Sequence, residues 1–203
     1  KLMLSGHKVV LWSSEFCHQT KLHRNPSLLN EPLPDGLEIK LIQSPGYKQN
    51  LGIARLYDHF RLGKNLDKIL GQQDSLPDVV FIGFPPIEPA TSMLRFCQKH
   101  KIPVILDIKD QWPTIFLDRV PLPLRFFARL VFHPYFKMSA YLFNEANVLC
   151  SITDDFLRWG QQFGKRPLVN DDLVVPLSVP KLDLTIEELQ KAKENWKSIG
   201  VDL

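Results

Sequence analysis

Short apolar runs alternate with longer amphipathic segments along most of the chain. The runs are rich in Val, Ile and Leu, which is typical of strands buried in a sheet. The longer segments carry apolar residues at intervals of three and four, which is typical of helices that bury one face. The predicted strands are residues 8–13, 37–42, 78–83, 102–107, 147–151 and 173–175. The predicted helices are residues 50–70, 90–100, 124–143, 154–163 and one that begins at 185.

Local signals mark the ends of several of these elements. Gly63 lies inside the first long helix and offers a point where that helix could break. Thr153 is the predicted N-cap of the helix that follows it, and Thr185 with Glu188 forms a Thr-x-x-Glu capping box. The segment 15–34 is polar, contains Pro and Asn, and is predicted to be irregular.

The alternation of strands with helices predicts an α/β fold. We expect a Rossmann-like, mostly parallel sheet with helices on both of its faces. Ligands of such sheets bind in the crevice at the carboxyl ends of the strands. The segments that follow Ser13, Gly83, Leu106 and Ser151 are therefore expected to line one crevice.

Composition narrows the class of protein. The chain has 203 residues, of which 44% are hydrophobic, which is enough to bury a core. Its formal net charge of +3 comes without the basic clusters, interleaved with exposed aromatic residues, that are typical of nucleic-acid binding. The three cysteines are far apart and lack metal-ligand spacing, so we expect reduced thiols, no bound metal and a cytoplasmic protein. No apolar run approaches the ~20 residues that span a bilayer.

Two carboxylates and a Trp lie at or just after the end of the predicted strand 102–107. Asp107 and Asp110 can accept hydrogen bonds from sugar hydroxyls or take a proton from an attacking hydroxyl. Trp112 can pack its face on the apolar face of a sugar ring. Together, at the carboxyl end of a strand, these residues favour a sugar site. The alternative is structural, with Asp107 capping a turn and Trp112 in the core.

A basic loop follows the first predicted strand. It contains His18, Lys21, His23 and Arg24, whose cationic groups could hold a phosphate or pyrophosphate at the mouth of the crevice. The alternative is a solvated loop without a ligand. The chain contains neither G-x-G-x-x-G nor a P-loop, so no cofactor is predicted.

The predicted helix 124–143 is basic and unusually aromatic. Arg125, Arg129, His133 and Lys137 follow each other at intervals of four, which places them in one stripe on a continuous helix. Such a helix could lie on an anionic membrane surface, at the inner face of a membrane. The alternative is a helix packed in the core, with its cations reaching solvent. Pro134 is expected to kink it.

Several segments, in order along the chain, resemble the N-terminal domain of family 4 glycosyltransferases, which have the GT-B fold. The most specific is 107–113, which resembles R-D-x-W-P with Lys109 in place of the Arg. Others are 4–10 (L-x-x-G-H-x-V), 16–18 (F-x-H), 84–86, the spaced set Tyr47, Asn50, Arg55 and Phe60, and 174–179, where Leu177 and Ser178 replace Asn-Gly.

The resemblance implies a domain organisation. Residues 1–180 would form the acceptor-side half of the GT-B fold, with a first strand expected before residue 1. Residues 181–203 would be a linker helix that leads to a second domain. That C-terminal domain would bind the nucleotide-sugar, which is a substrate rather than a cofactor.

The resemblance also implies an activity. The parent protein would transfer a sugar from a nucleotide-sugar to a hydroxyl of a sugar or lipid-linked acceptor, with retention, in surface polysaccharide or glycolipid synthesis. The 203-residue chain alone would be inactive. A different class is a non-catalytic Rossmann-like scaffold domain that docks a partner through helix 124–143.

Roles follow for the candidate residues. Asp110 would be the catalytic polar residue nearest the reacting hydroxyl, and Trp112 a wall of the site. Asp107 would support them from behind. His18 and Lys21 would contact the acceptor or its phosphate, and Arg24 would add a further cation.

Overall fold

The structure is a computed structural model that describes residues 2–25, 33–50, 52–118, 120–167, 169–177, 185–198 and 200. Its strands are β1 (Val9–Ser14), β2 (Phe16–Cys17), β3 (Leu22–His23), β4 (Leu37–Ile42), β5 (Val80–Phe84), β6 (Val104–Ile108), β7 (Val148–Ser151) and β8 (Leu173–Val174). Its helices are α1 (Ile53–Leu70), α2 (Ile87–His100), α3 (Thr114–Asp118), α4 (Arg125–Val131), α5 (His133–Glu145), α6 (Asp154–Gly164) and α7 (Ile186–Ser198). Met3–Ser5 and Leu122–Leu124 form short 3₁₀ helices.

Parallel strand pairing confirms the predicted α/β fold. β5, β6, β7 and β8 form a parallel sheet in that order, and β1 pairs with β4 in a second parallel sheet. Among the described residues β1 and β5 share no hydrogen bonds, and the expectation of a further first strand stays a prediction. β2 and β3 form a small antiparallel hairpin, so the prediction that 15–34 is wholly irregular is wrong. Strands of two residues are too short to show an alternating pattern.

One large core lies between the four-stranded sheet and three helices. Val104, Leu106 and Ile108 alternate along β6 and are buried against apolar side chains of α2, α5 and α6. A smaller cluster packs Ile42 of β4 against α1, and Met93 of α2 touches both clusters. The packing of α1 on α2 therefore joins the two-stranded sheet to the main core.

Gly63 does not interrupt α1, so the break considered at this residue does not occur. A Cβ at Gly63 would lie 3.1 Å from the backbone carbon of Glu88 and 3.3 Å from the nitrogen of Pro89. The missing side chain thus lets α1 approach the first turn of α2 closely. Gly164 serves the same purpose at the end of α6, where a Cβ would lie 2.7 Å from the Cβ of Phe143.

The predicted helix 124–143 is two helices. α4 ends at Val131 and α5 begins at His133, with Pro134 in the first turn of α5, where a missing N–H costs no helical hydrogen bond. The break interrupts the predicted basic stripe between α4 and α5. The core-packed alternative is correct for Leu142 and Phe143 of α5, which are buried, and wrong for α4, which has no buried residue.

The two predicted N-caps are confirmed, whereas α1 begins at Ile53 rather than at 50 and α2 at Ile87 rather than at 90. The Thr153 hydroxyl accepts from the Phe156 N–H at 3.3 Å, and the Glu188 N–H donates to the Thr185 hydroxyl at 3.2 Å. The predicted domain boundary at 180/181 and the resembling residues Ser178 and Val179 lie outside the described residues. Across the described ranges we find no helix with the length and apolar character of a membrane span.

A buried ion pair lies at the edge of the main core, between the end of α5 and the start of β7. Arg166 donates to Asp172 at 3.1 Å, and both side chains are almost fully buried. The Arg166 guanidinium also donates to the carbonyls of Phe143 at 3.2 Å and Ala146 at 2.6 Å, at the end of α5. Asp172 accepts from the Leu149 N–H of β7 at 2.7 Å. The pair therefore fixes the end of α5 against β7.

Candidate functional site

The segments that follow β1, β4 and β6 meet at the first turns of α1, at the carboxyl ends of the strands. Three rings form the centre of this meeting point. The centroids of Tyr47 and His59 are 6.2 Å apart, and those of His59 and Trp112 are 5.6 Å apart. Phe16 of β2 extends the row, with its centroid 4.9 Å from that of Tyr47. A row of aromatic rings thus joins four parts of the chain at this end of the strands.

Two cations lie over these rings. The Arg55 guanidinium carbon is 4.5 Å from the Trp112 centroid and 5.7 Å from the Tyr47 centroid. The Lys21 ammonium lies 4.5 Å from the centroid of the Tyr47 ring and donates a hydrogen bond to the Asn50 side-chain oxygen. Both positions allow cation–π attraction. We call Lys21, Tyr47, Arg55, His59 and Trp112 the aromatic–cation group.

The loop between β4 and α1 is held in place from below by Asp58. This buried carboxylate accepts from the Ser44 hydroxyl and from the Gly46 N–H, the latter at 2.7 Å. Gly46 has a φ of +78°, and a Cβ there would lie 2.6 Å from the Phe16 ring. Only glycine suits this position, because the left-handed backbone and the ring together exclude a side chain. The loop that carries Tyr47 is therefore rigidly placed over α1.

His59 is the most perturbed titratable group of the site. The residue is 5% exposed, and its Nδ1 has no hydrogen-bond partner among the described residues. Burial, helped by the neighbouring Arg55 charge and opposed by Asp58, lowers the pKa of His59 to about 4. The imidazole is therefore neutral near pH 7.

Asp110 and Trp112 are joined by a hydrogen bond. The Trp112 indole N–H donates to one Asp110 oxygen at 3.0 Å, and the Gln111 N–H donates to the other at 2.8 Å. Trp112 is 4% exposed and also packs on Phe116, with the centroids 4.6 Å apart. The turn-capping role considered for Asp107 thus belongs to Asp110. Trp112 is part of the buried core beneath Arg55, as the structural alternative predicts.

Asp107 lies within β6 rather than after it. It pairs with Gly83 on one side and with Cys150 on the other. Its carboxylate lies 3.4 Å from the Lys109 ammonium and accepts from the Cys150 thiol at 3.6 Å. Burial, together with the Asp107 charge, raises the pKa of Cys150 to about 11. The contacts of Asp107 are therefore with the sheet and Lys109.

The residues of the basic loop differ in their surroundings: Arg24 bonds to the end of β1, whereas His18 is exposed to solvent. Arg24 donates to the Ser13 hydroxyl at 3.2 Å and to the Ser14 carbonyl, so it ties β3 to the end of β1. His18 is exposed in the turn between β2 and β3. Lys21 is the residue of this loop that joins the aromatic–cation group. No cluster of three or more potential metal-ligating side chains occurs in the parts of the chain that the structure describes.

Sequence reasoning assigned no role to Arg55, His59 or Asp58. Arg55 and His59 are one helical turn apart on α1, and Asp58 and His59 are buried within that helix. The sequence itself shows only that charged residues and a His occupy the first turns of a predicted helix that follows a strand. Tyr47 and Arg55 were noted only as part of the family pattern.

A buried carboxylate lies behind the aromatic–cation group. The Tyr135 hydroxyl donates to Glu88 at 2.8 Å, and the other Glu88 oxygen has no partner among the described residues. Burial raises the pKa of the Glu88 carboxyl, and the hydrogen bond from Tyr135 opposes that rise. Phe116 links this pair to Trp112, because its centroid is 6.5 Å from that of Tyr135.

Comparison with solved structures identifies the fold. The chain is similar to the crystal structure of Arabidopsis thaliana UGT89C1 complexed with quercetin, a GT-B glycosyltransferase of family 1, with a TM-score of 0.50 and 13% identity. The match covers 96% of this chain and 49% of that one, so this chain spans about half of its length. No protein-family model and no curated protein sequence matches the chain. The likeness shows a Rossmann-like domain of the GT-B type, and membership of family 4 stays a prediction.

Proposed function

We propose that this chain is the acceptor-side half of a GT-B glycosyltransferase, of the kind found in family 4. The parent protein transfers a sugar from a nucleotide-sugar to the hydroxyl of a sugar or lipid-linked acceptor, with retention at the anomeric carbon. A second domain supplies the nucleotide-sugar site. The pathway is the synthesis of a surface polysaccharide or glycolipid.

The observation that carries the proposal is the aromatic–cation group at the carboxyl ends of β1, β4 and β6. The buried rings position the Arg55 and Lys21 side chains above them, and a guanidinium or ammonium binds hydroxyl, carboxylate or phosphate oxygens. Arg55 and Lys21 both border Tyr47. A phosphorylated or acidic sugar acceptor suits this arrangement better than a neutral apolar ligand does.

Roles within the site follow from these contacts. Lys21 and Arg55 hold the acceptor, with the exposed His18 at the rim. Trp112 supports Arg55 from beneath, and Arg24 and Asp107 maintain the strands on either side. Asp110 is the carboxylate we assign nearest the reacting hydroxyl. Each of its oxygens accepts one hydrogen bond, from Gln111 or from Trp112, and one of these two oxygens would take the proton.

Asp110 can act on the substrate directly or only by positioning Trp112, and a double-mutant cycle separates the two. Asp110→Asn in the full-length protein is expected to lower kcat about 100-fold or more, the loss typical of a general acid–base residue. Trp112→Phe removes the indole N–H while leaving Asp110 in place. In the Trp112→Phe background, a catalytic Asp110 gives the same large loss on substitution by Asn.

The cycle is read with a thermal melt of each variant and with turnover on several nucleotide-sugars. If Asp110→Asn has no further effect in the Trp112→Phe background, Asp110 is a positioning residue. Absence of turnover by the full-length protein on every nucleotide-sugar tested would favour the scaffold class instead. Turnover by the 203-residue chain alone at an ordinary enzymatic rate would contradict the two-domain proposal.

A further inference from the structure

The segment from Leu122 to Val131 exposes an apolar surface next to the candidate site. Six of its side chains are largely exposed, including Leu122 at 77%, Phe126 at 68% and Val131 at 71%. Together they expose on the order of several hundred Å² of apolar area, which is the range that marks interaction sites. We call these residues the α4 surface: Leu122, Leu124, Phe126, Phe127, Leu130 and Val131.

The helix presents its apolar side outward. Phe126, Phe127, Leu130 and Val131 cover an arc of roughly 140° at ~100° per residue, and all four are exposed. The opposite side is half-buried, and there the Arg125 side chain donates to the Val120 carbonyl at 3.1 Å. A surface helix of a soluble domain normally has the reverse arrangement.

The charged residues in the sequence from 119 to 144 are all basic or histidine. Between Asp118 and Glu145 the sequence contains no acidic residue. Arg129 is exposed beside the apolar arc, Arg125 lies on the opposite side of the helix, and Lys137 follows on the exposed side of α5. The Arg129 guanidinium lies 5.5 Å from the Phe136 centroid, so it is held at the junction of α4 and α5.

We infer that the α4 surface docks on an anionic membrane, with its Phe and Leu side chains in the interface and its cations at the headgroups. Exposed aromatic and aliphatic residues with basic residues beside them fit lipid headgroups and the acyl boundary. A helix of seven residues rises only ~10 Å, about a third of the hydrocarbon thickness, so α4 lies along the interface.

The end of α4 is also packed against the candidate site. The centroids of Trp112 and Phe116 are 4.6 Å apart, and those of Phe116 and Phe132 are 5.1 Å apart. Three rings therefore connect the core beneath Arg55 to the end of α4. A membrane on the α4 surface brings the site close to the headgroups, where a lipid-linked acceptor would lie. That last point rests on the proposed function, whereas the docking itself does not.

The test is co-sedimentation of the purified protein with vesicles, without any nucleotide-sugar. We expect binding to phosphatidylcholine vesicles that contain about 30% phosphatidylserine at roughly 0.05 M salt, and release at roughly 0.5 M salt. Arg129→Gln with Lys137→Gln should weaken binding about 30-fold on anionic vesicles. Phe127→Gln with Val131→Gln should weaken it about tenfold or more on the same vesicles.

Matched controls carry similar changes elsewhere. Leu4→Gln and Ile186→Gln alter side chains that are 91% and 82% exposed outside the α4 surface, and should leave binding unchanged. Equal binding by the Phe127/Val131 variant and the unaltered protein would overturn the inference, as would failure of the unaltered protein to pellet at low salt. The inference would also be overturned if the unaltered protein forms a dimer that the Phe127/Val131 variant does not form, because a second copy of the chain would then cover the α4 surface. Each result is independent of transferase activity, so its failure leaves the proposed function standing.

Discussion

His59 makes the stability of this domain depend on pH in a way that can be calculated. The pKa of His59 is about 4 in the folded chain, against about 6.5 for an unburied histidine. Because the folded pKa is the lower one, protons bind preferentially to the unfolded chain. Stability is therefore lost as the pH falls below about 6.5, and the loss levels off below about 4. The full loss is about 3 kcal/mol, of which about 2 kcal/mol is reached at pH 5.

The assay is urea denaturation of the 203-residue chain, followed by the fluorescence of its four tryptophans, at about pH 7 and about pH 5. His59→Phe keeps a ring between Tyr47 and Trp112 and removes the titration. Other groups also contribute to the pH dependence of stability. Burial raises the pKa of Glu88, so its protonation stabilises the fold as the pH falls. Both proteins contain Glu88, so its contribution cancels in the comparison.

The expected result is that the unaltered chain loses about 2 kcal/mol more than the variant between these two pH values. An equal loss in both proteins would refute the reasoning, because His59 would then bind protons equally in the folded and unfolded chains. A smaller difference would mean that solvent reaches the ring. The variant's own stability at pH 7 does not enter the comparison.

Further substitutions test the buried ion pair, the close approach at Gly164 and the N-cap of α6. Arg166→Met leaves a buried carboxylate and several carbonyls without their donor, and should lower the free energy of unfolding by about 3–5 kcal/mol in the same urea assay. Gly164→Ala places a Cβ against the Phe143 backbone and should cost about 1–3 kcal/mol, whereas Gly71→Ala, with its nearest contact at 3.5 Å, should be close to neutral. Thr153→Ala removes the N-cap of α6 and should lower the free energy of unfolding by about 1 kcal/mol. Thr153→Ser keeps a capping hydroxyl and should lose much less.

The sequence predicts those parts of the fold that depend on local signals. Residues 37–42 are a strand with the predicted ends, because their alternation and their half-buried environment agree. Thr153 and Thr185 begin helices because their hydroxyls satisfy N–H groups within the same turn. Gly63 looked like a break because its role depends on Glu88, a residue far along the chain.

The site is predicted less completely, for the same physical reason. The carboxyl end of β6 was identified correctly as the place where Asp110 and Trp112 would lie, because strand polarity alone fixes that edge. The contribution of Arg55 and His59 depends on how α1 docks over that edge. No periodicity in residues 53–70 encodes which loop their side chains will meet, so only the tertiary contacts reveal them.

The separation of β1 and β4 from the four-stranded sheet has a consequence for amide hydrogen exchange. Within the described residues this strand pair is tied to the main core through the small cluster of α1 and its contacts with α2. Local opening should therefore expose its amides sooner than those of β6. The aromatic–cation group spans both regions, since Tyr47 follows β4 and Trp112 follows β6. An acceptor held by this group should slow exchange in β4 and α1 more than in β6, so ligand occupancy becomes measurable in amides that never touch the ligand.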